Sequence, residues 1–349
     1  MKIEIIGSGD IRQTFESKPN ENILYSGLQH GIGLPYECAT GTCGSCKAKR
    51  ISGQIEWLWD EAPARKILKS EDDFLMCQCS ASSDLQLEVR SKLKENKDPR
   101  CVPDWLGAVV IDSRLVAQDV KTLSVRLSKS IDFLPGQFMV LEFEGVTGGR
   151  AWSMTNHAET SNILHFVIKK KPNGDLSKFL FAHDDLSGLK AKAFGPIGKA
   201  TYLSNLEKEL ICIAGGTGIA GMMSILEEYI RGGAHLKNRA TVYFGVRTSQ
   251  DLFFANEFSK LVDQSKGSLE VVVAFSDEKP STEIIEAYPA LKFDQGFIHE
   301  VAEREIVGCD HANSRAYIAG PPPLVDGALR MLLLKARLPA SEILYDKFG

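Results

Sequence analysis

Cys38, Cys43 and Cys46 lie in the run Tyr36-Glu-Cys-Ala-Thr-Gly-Thr-Cys-Gly-Ser-Cys-Lys47, and Cys77 follows with thirty residues between it and Cys46. Three thiolates spaced C-x4-C-x2-C, with a distant fourth, are the pattern that wraps a 2Fe-2S cluster. The loop must turn tightly, and Gly41 and Gly44 permit that while letting amide N–H groups approach the sulfurs. Such a site moves electrons one at a time. A four-thiolate zinc site built from Cys43-x2-Cys46 and Cys77-x-Cys79 is the competing reading, but it leaves Cys38 over. Cys77 is taken as the fourth ligand, with Cys79 open as the alternative.

Further runs carry chemistry of another kind. Arg150-Ala-Trp-Ser-Met-Thr-Asn156 is read as a strand presenting Arg150, Trp152 and Ser153 on one face, where a cation, a flat ring and a hydroxyl can meet a phosphate, a ring and a ring nitrogen. Lys169-Lys-Lys-Pro-Asn-Gly174-Asp-Leu-Ser177 is a basic strand end and turn entering a helix expected over residues 176–182. Free N–H groups at that helix start, with Ser177 beside them, can bind a pyrophosphate. A solvated basic hairpin is the alternative.

Gly215-Gly-Thr-Gly-Ile-Ala-Gly221 follows an apolar strand and opens a helix, so Gly216, Thr217 and Gly218 stand in the context a dinucleotide loop requires. Ala319-Gly-Pro-Pro-Pro-Leu324 ends another strand, which puts Gly320 and Pro321 on the same carboxyl edge. Gly7-x-Gly9 is a hairpin turn with no helix after it, and not a phosphate loop.

The elements that must position these residues fall into three groups. At 349 residues the chain is long for one domain. Lys2 to Ile6 and Gln13 to Ser17 read as a hairpin, and Leu85 to Val89 returns as a strand, closing a first domain at residues 1–92. Residues 93–104, rich in Lys, Pro and Asn, read as a linker that lets the domains fold independently. Residues 105–204 show short strands and turns, the pattern of an antiparallel barrel. Residues 205–349 alternate strand and helix, which implies a doubly wound parallel sheet.

A formal charge of −4 gives no drive toward nucleic acid or an anionic membrane. The longest uncharged run, Leu210 to Leu226, is short for a membrane span and holds four glycines. No signal peptide precedes the first strand, and the cysteines form no secreted disulfide pattern, so a cytoplasmic monomer is expected.

Taken together, Tyr36-Glu-Cys through Cys46, Cys77-Gln, Arg150-Ala-Trp-Ser, Gly215-Gly-Thr-Gly, Phe244-Gly-Val-Arg247 and Gly320-Pro-Pro-Pro resemble the reductase components of bacterial multicomponent aromatic oxygenases. The chain is similar to reductases of carbazole- and naphthalene-type dioxygenases and of toluene monooxygenases. The resemblance implies a β-grasp, plant-type ferredoxin domain, a β-barrel flavin domain and a parallel-sheet nicotinamide domain. It implies FAD with Arg150 near a phosphate, Trp152 against the flavin, Ser153 near its reactive nitrogen, and Met154, Lys169, Gly174, Leu176 and Ser177 around the rest. The C-terminal aromatic of the family corresponds to Phe348, so Ser153 and Phe348 are the expected catalytic residues.

The family reads the adenosine ribose after the third sheet strand. Here that position is Phe275-Ser-Asp-Glu278, where Asp277 repels a 2′-phosphate and accepts from a ribose hydroxyl, so NADH is expected. Arg247, just past the second strand, points the other way under the usual dinucleotide rule. Gly221 and Ala319 depart from the family, which often has proline and cysteine there. The resemblance implies electron delivery to an oxygenase or hydroxylase component, or to its ferredoxin. Alternatives are a diiron toluene- or phenol-type monooxygenase and a sugar-deoxygenating system.

Overall fold

The computed structural model describes the chain apart from Asn96, Lys97, Asn173 and Gly349. The first layer is a mixed sheet in the order Arg12–Glu16, Lys2–Ile6, Leu85–Glu88, Lys47–Ser52, Asp73–Leu75. Lys2–Ile6 pairs antiparallel with Arg12–Glu16 and parallel with Leu85–Glu88. Alternation in Lys2–Ile6 sends Ile3 and Ile5 inward, both fully buried. They face the helix Ile23–Gln29, whose buried side is Ile23, Leu24 and Leu28.

That helix starts where Asn22 accepts the Tyr25 N–H at 3.1 Å. The same Asn22 amide donates to the Cys77 carbonyl, so the helix cap also holds the segment carrying the distant cysteine.

The second layer is an antiparallel sheet ordered Arg150–Ser153, Phe138–Phe143, Lys190–Ile197, Asp104–Ala117, Val120–Ile131, Ser161–Lys169. A bridge between Met154 and Phe166 joins its two edges and closes the barrel.

The third layer is wholly parallel, in the order Lys292–Gln295, Leu269–Phe275, Ala240–Val246, Glu209–Gly215, Ser314–Gly320, Ile343–Lys347. Its central strand reads Leu210-Ile-Cys-Ile-Ala214 because both faces are covered. Leu210, Cys212 and Ala214 meet the helices Ile219–Arg231 and Ala255–Gln264, while Ile211 and Ile213 meet Ile298–Ile306 and Pro322–Arg330. The strand pattern is as read from sequence, with Lys292–Gln295 and Ile343–Lys347 added at the two edges. Among the described residues no helix is long and apolar enough to cross a membrane.

The segment expected as a free linker differs. Lys94–Glu95 pairs with Ile32–Gly33, and Asp98 caps a short turn at Pro99–Cys101; Asn96 and Lys97 lie outside the described residues.

More consequential is a core shared across the boundary. Tyr25 stacks on Phe194 at 4.2 Å and 16°, and Trp105 packs against both rings. Phe138, Val140, Phe194 and Ile197 of the barrel belong to the hydrophobic cluster of the first layer. Independent folding of residues 105–349 would leave these apolar side chains facing water. Such a fragment is expected to self-associate, and Phe194→Ala in the full chain should cost about 3–5 kcal/mol in urea unfolding. A monodisperse wild-type fragment on sizing chromatography would show the shared core to be dispensable.

Candidate functional site

The cysteine loop turns through Gly41 and Gly44, at φ +83° and +79°. A Cβ on Gly44 would come within 2.1 Å of the Ile67 side chain, and its positive φ is itself strained for any residue with a side chain. The turn aims backbone donors at sulfur: Thr40 and Cys43 N–H groups point at Cys38 Sγ, both at 3.4 Å, and those of Cys38 and Ser45 at Cys43 Sγ, both at 3.5 Å.

Across from this pair, Cys46 Sγ lies 3.1 Å from Cys77 Sγ. Among the described residues the thiols form two pairs and no single group of three or more. Two thiolate pairs suit two irons, whereas zinc gathers its four ligands around one centre. Cys79 is buried on the strand Cys79–Ala81, paired with Trp57, and hydrogen-bonds to none of the four thiols. The Cys43 thiol draws Cys38 down to about 4 against the effect of burial, with Thr42 and backbone N–H groups adding to it. The same contact and burial push the Cys43 thiol up, so of this pair Cys38 carries the thiolate and Cys43 keeps its proton.

From this loop a cleft of about 1100 Å³ runs between the three layers. Cys38, Thr40, Thr42 and Trp59 line its first end. Arg150, Trp152 and Ser153 line it from the barrel, followed by Lys169, Gly174, Leu176 and Ser177. Gly216, Thr217, Gly218, Gly320 and Pro321 line it from the carboxyl edge of the parallel sheet, and Phe348 enters from the last strand.

Gly216 has φ +53° and open space at its Cβ position, while a Cβ on Gly218 would meet the Ala319 carbonyl at 2.5 Å. Thus one glycine makes the turn and the other lets the loop pack on the neighbouring strand. Phe348 is fixed by its N–H, which donates to Gly320 O at 3.2 Å, and its ring meets Phe138 edge-on.

Three expectations need correction. Ser153 does not share a face with Arg150 and Trp152, since it is one residue out of phase; it reaches the cleft because the strand ends there, against Gly221. Met154 is fully buried in the barrel core and its side chain does not line the cleft, because it forms the bridge to Phe166 that closes the barrel. Asp277 is exposed and also lies off the cleft lining, where Ser276 stands instead. Its carboxylate accepts from Ser276 Oγ at 2.5 Å and its N–H donates to Arg247 O at 2.9 Å.

The basic turn runs into a helix at Asp175–Phe181; Asn173 within it is outside the described residues. Ser177 Oγ accepts from Lys171 N–H at 2.8 Å, which holds the turn closed. Among the cleft residues that sequence reasoning missed are Trp59 and Asp251. Trp59 stands near the Arg150 guanidinium, 6.0 Å from its ring centre. Asp251 takes both Lys169 and Arg247. Neither belongs to a motif, so no local signal marked them.

Comparison with known proteins gives a 2Fe-2S iron-sulfur cluster binding domain at residues 6–82, an oxidoreductase FAD-binding domain at 107–202 and an oxidoreductase NAD-binding domain at 212–330. The ferredoxin–NAD(P)+ reductase CarAd of Metapseudomonas resinovorans is 31% identical over 331 residues, covering 94% of each chain. The chain belongs to the family of oxygenase-system reductases. Within this family, the ferredoxin–NAD+ reductase component of the alkene monooxygenase system of Xanthobacter autotrophicus is 30% identical, covering 96% of this chain and 98% of its own. The ferredoxin reductase in carbazole 1,9a-dioxygenase superposes with a TM-score of 0.81 at 31% identity, over 100% and 99% of the two chains. As an oxygenase-system reductase, the chain is an oxidoreductase whose cofactors are FAD, NAD and a 2Fe-2S cluster.

Two carboxyl groups sit where the three layers of this reductase meet. Glu37, beside Cys38, is raised to about 7 by burial, with Lys199 and Lys347 opposing. Asp346, 6% exposed, is also raised to about 7, by burial and then by Glu37, with Lys199 opposing. A carboxyl raised in the fold keeps its proton where the unfolded chain has lost it. Asp346 therefore disfavours the folded state increasingly as pH rises from about 4 to 7, and by a constant amount above.

Asp346→Asn removes this effect. Its Tm difference from the parent should shift in the stabilising direction between pH 4 and 7 and then level off; a difference independent of pH would contradict the assignment. For the thiols, Cys77→Ser is expected to remove most cluster absorbance and Cys79→Ser to leave it largely intact, the reverse outcome making Cys79 the ligand.

Proposed function

We propose that this reductase takes reducing equivalents from NADH and delivers them singly to the oxygenase component of an aromatic ring-hydroxylating dioxygenase system, or to its ferredoxin. The observation that carries this is the single cleft lined by Cys38 and Thr40, by Arg150 and Ser153, by Gly216 and Gly320, and by Phe348. When bound, FAD would supply the conversion between a two-electron hydride from nicotinamide and the single electrons a 2Fe-2S cluster takes.

The chain's own groups supply position and charge. Cys38, Cys43, Cys46 and Cys77 would hold the two irons, with sulfur as the donor atom. Arg150 offers a cation to a flavin phosphate, and Lys169 with the Gly174–Ser177 turn does the same for the pyrophosphate. Trp152 would offer an aromatic contact to the flavin and Ser153 a hydroxyl donor. Phe348 would add a second aromatic side chain that excludes water from the cleft. Gly216, Thr217, Gly218, Gly320 and Pro321 bring bare backbone against the nicotinamide dinucleotide. Asp277 and Glu278 put negative charge beside Arg247, which disfavours a 2′-phosphate there and so favours NADH.

A second reading, service to a monooxygenase, is supported by the similarity to the alkene monooxygenase component over 96% of this chain. Anaerobic titration with NADH should bleach flavin and then iron–sulfur absorbance. Flavin reduction with an unchanged cluster spectrum would sink the route. Reduction of a purified dioxygenase component, set against a purified monooxygenase component, decides between the two acceptors.

A further inference from the structure

Asp251 is the one acidic side chain among the residues lining the cleft described above whose burial is nearly complete, at 3% exposure. It is not idle. Its Oδ1 receives Lys169 Nζ at 2.8 Å and Arg247 Nη2 at 3.3 Å, and its Oδ2 accepts from Thr248 Oγ1 at 3.2 Å. Lys169 comes from the barrel and Arg247 from the loop after Ala240–Val246, so one carboxylate ties two domains across the cleft. Burial works to raise its pKa, but the hydrogen bond and charge of Lys169, then of Arg247, hold it below the usual carboxylate range.

Arg247 occupies the place, just past the second sheet strand, where an arginine ordinarily receives the 2′-phosphate of NADPH. Its side chain is 63% exposed and lines the cleft. Here its guanidinium donates to Asp251 through Nη2 at 3.3 Å. Its surroundings add further negative charge: Asp277 N–H holds the Arg247 carbonyl at 2.9 Å, and Glu278 accepts the Ser249 N–H at 2.5 Å.

From this geometry we infer that Asp251 is a specificity-determining residue: by occupying Arg247 it denies a 2′-phosphorylated nucleotide its cation. The inference rests on the NADH reading above and supplies a physical basis for it that Asp277 alone does not. A 2′-phosphate must compete with a buried anion already satisfied by a second cation. Lys169 holds Asp251 in place at the shorter distance, so the carboxylate cannot follow Arg247 outward.

The test uses the full-length, flavin-loaded chain and two probes, adenosine 2′,5′-bisphosphate and 5′-AMP, with dissociation constants measured by calorimetry. Asp251→Asn keeps the shape and removes the charge. It should tighten 2′,5′-bisphosphate binding by about tenfold relative to 5′-AMP, the worth of one charge-assisted hydrogen bond, and Arg247→Gln in that background should abolish the gain. Equal change for both nucleotides, or none, overturns the inference.

Should Asp251→Asn not retain flavin or fold, Arg247→Gln in the parent decides: discrimination between the nucleotides left unchanged supports the commitment of Arg247, and a tenfold loss confined to the bisphosphate refutes it. Failure of the NADH reading is distinct, because the unmodified chain would then already bind the bisphosphate more tightly than 5′-AMP.

Discussion

The ring of Tyr25 lies 4.2 Å from that of Phe194, nearly parallel, with Trp105 against both. This contact sets where the cysteine loop stands. Tyr25 donates its hydroxyl to the Ala39 carbonyl at 2.9 Å, so a side chain anchored in the barrel's apolar wall also grips the loop between Cys38 and Cys43. Tyr36 extends the seam, its hydroxyl accepting from Gly198 N–H at 3.0 Å and its carbonyl accepting from Lys199 at 3.1 Å. Electron transfer between two cofactors depends on their separation. A dry aromatic contact holds that separation more firmly than a flexible tether would, because sliding it would expose apolar surface.

The second junction, between barrel and parallel sheet, adds polar contacts to the buried packing of Val120, Val167 and Tyr202. Ser224 Oγ accepts the Gly136 N–H at 2.9 Å and donates to Gly221 O at 2.7 Å, and Glu227 accepts the His157 N–H at 2.8 Å. Directional bonds of this kind orient the helix Ile219–Arg231, and with it the glycine loop at its start, against the strand that ends in Ser153. A Cβ on Gly221 would stand 3.4 Å from Ser153 Cβ, so this position faces the end of the barrel strand across the junction. Ala319 sits beside the same loop, its carbonyl closing the space above Gly218.

Charge within the cleft is arranged in partial compensation. Lys169 and Arg247 share Asp251, while Arg150 faces Trp59 and bonds to the Gly149 carbonyl at 2.9 Å. At the three-way junction Glu37 and Asp346 share Lys199, and Lys347 also acts on Glu37. Burial outweighs these cations and raises both carboxyls toward neutrality.

The cysteine spacing, the glycine loop and the strand–helix rhythm after residue 205 were legible along the chain, because each is a local pattern: ligands on one loop, φ beyond ordinary limits, apolar periodicity. The three-layer architecture followed from them. What required the tertiary structure was convergence. Ser153 and Met154 follow directly on Trp152, yet one reaches the cleft and the other closes the barrel, a choice made by a bridge to Phe166. Asp277 was the acid that sequence order favoured, and Asp251 is the one the fold buries between two cations. Trp59, Asp251 and Asp346 carry no motif, since their surroundings are drawn from strands far away in sequence. Local patterns are governed by backbone sterics and solvent exposure over a few residues, whereas a side chain's partners are selected only when separate domains share a core.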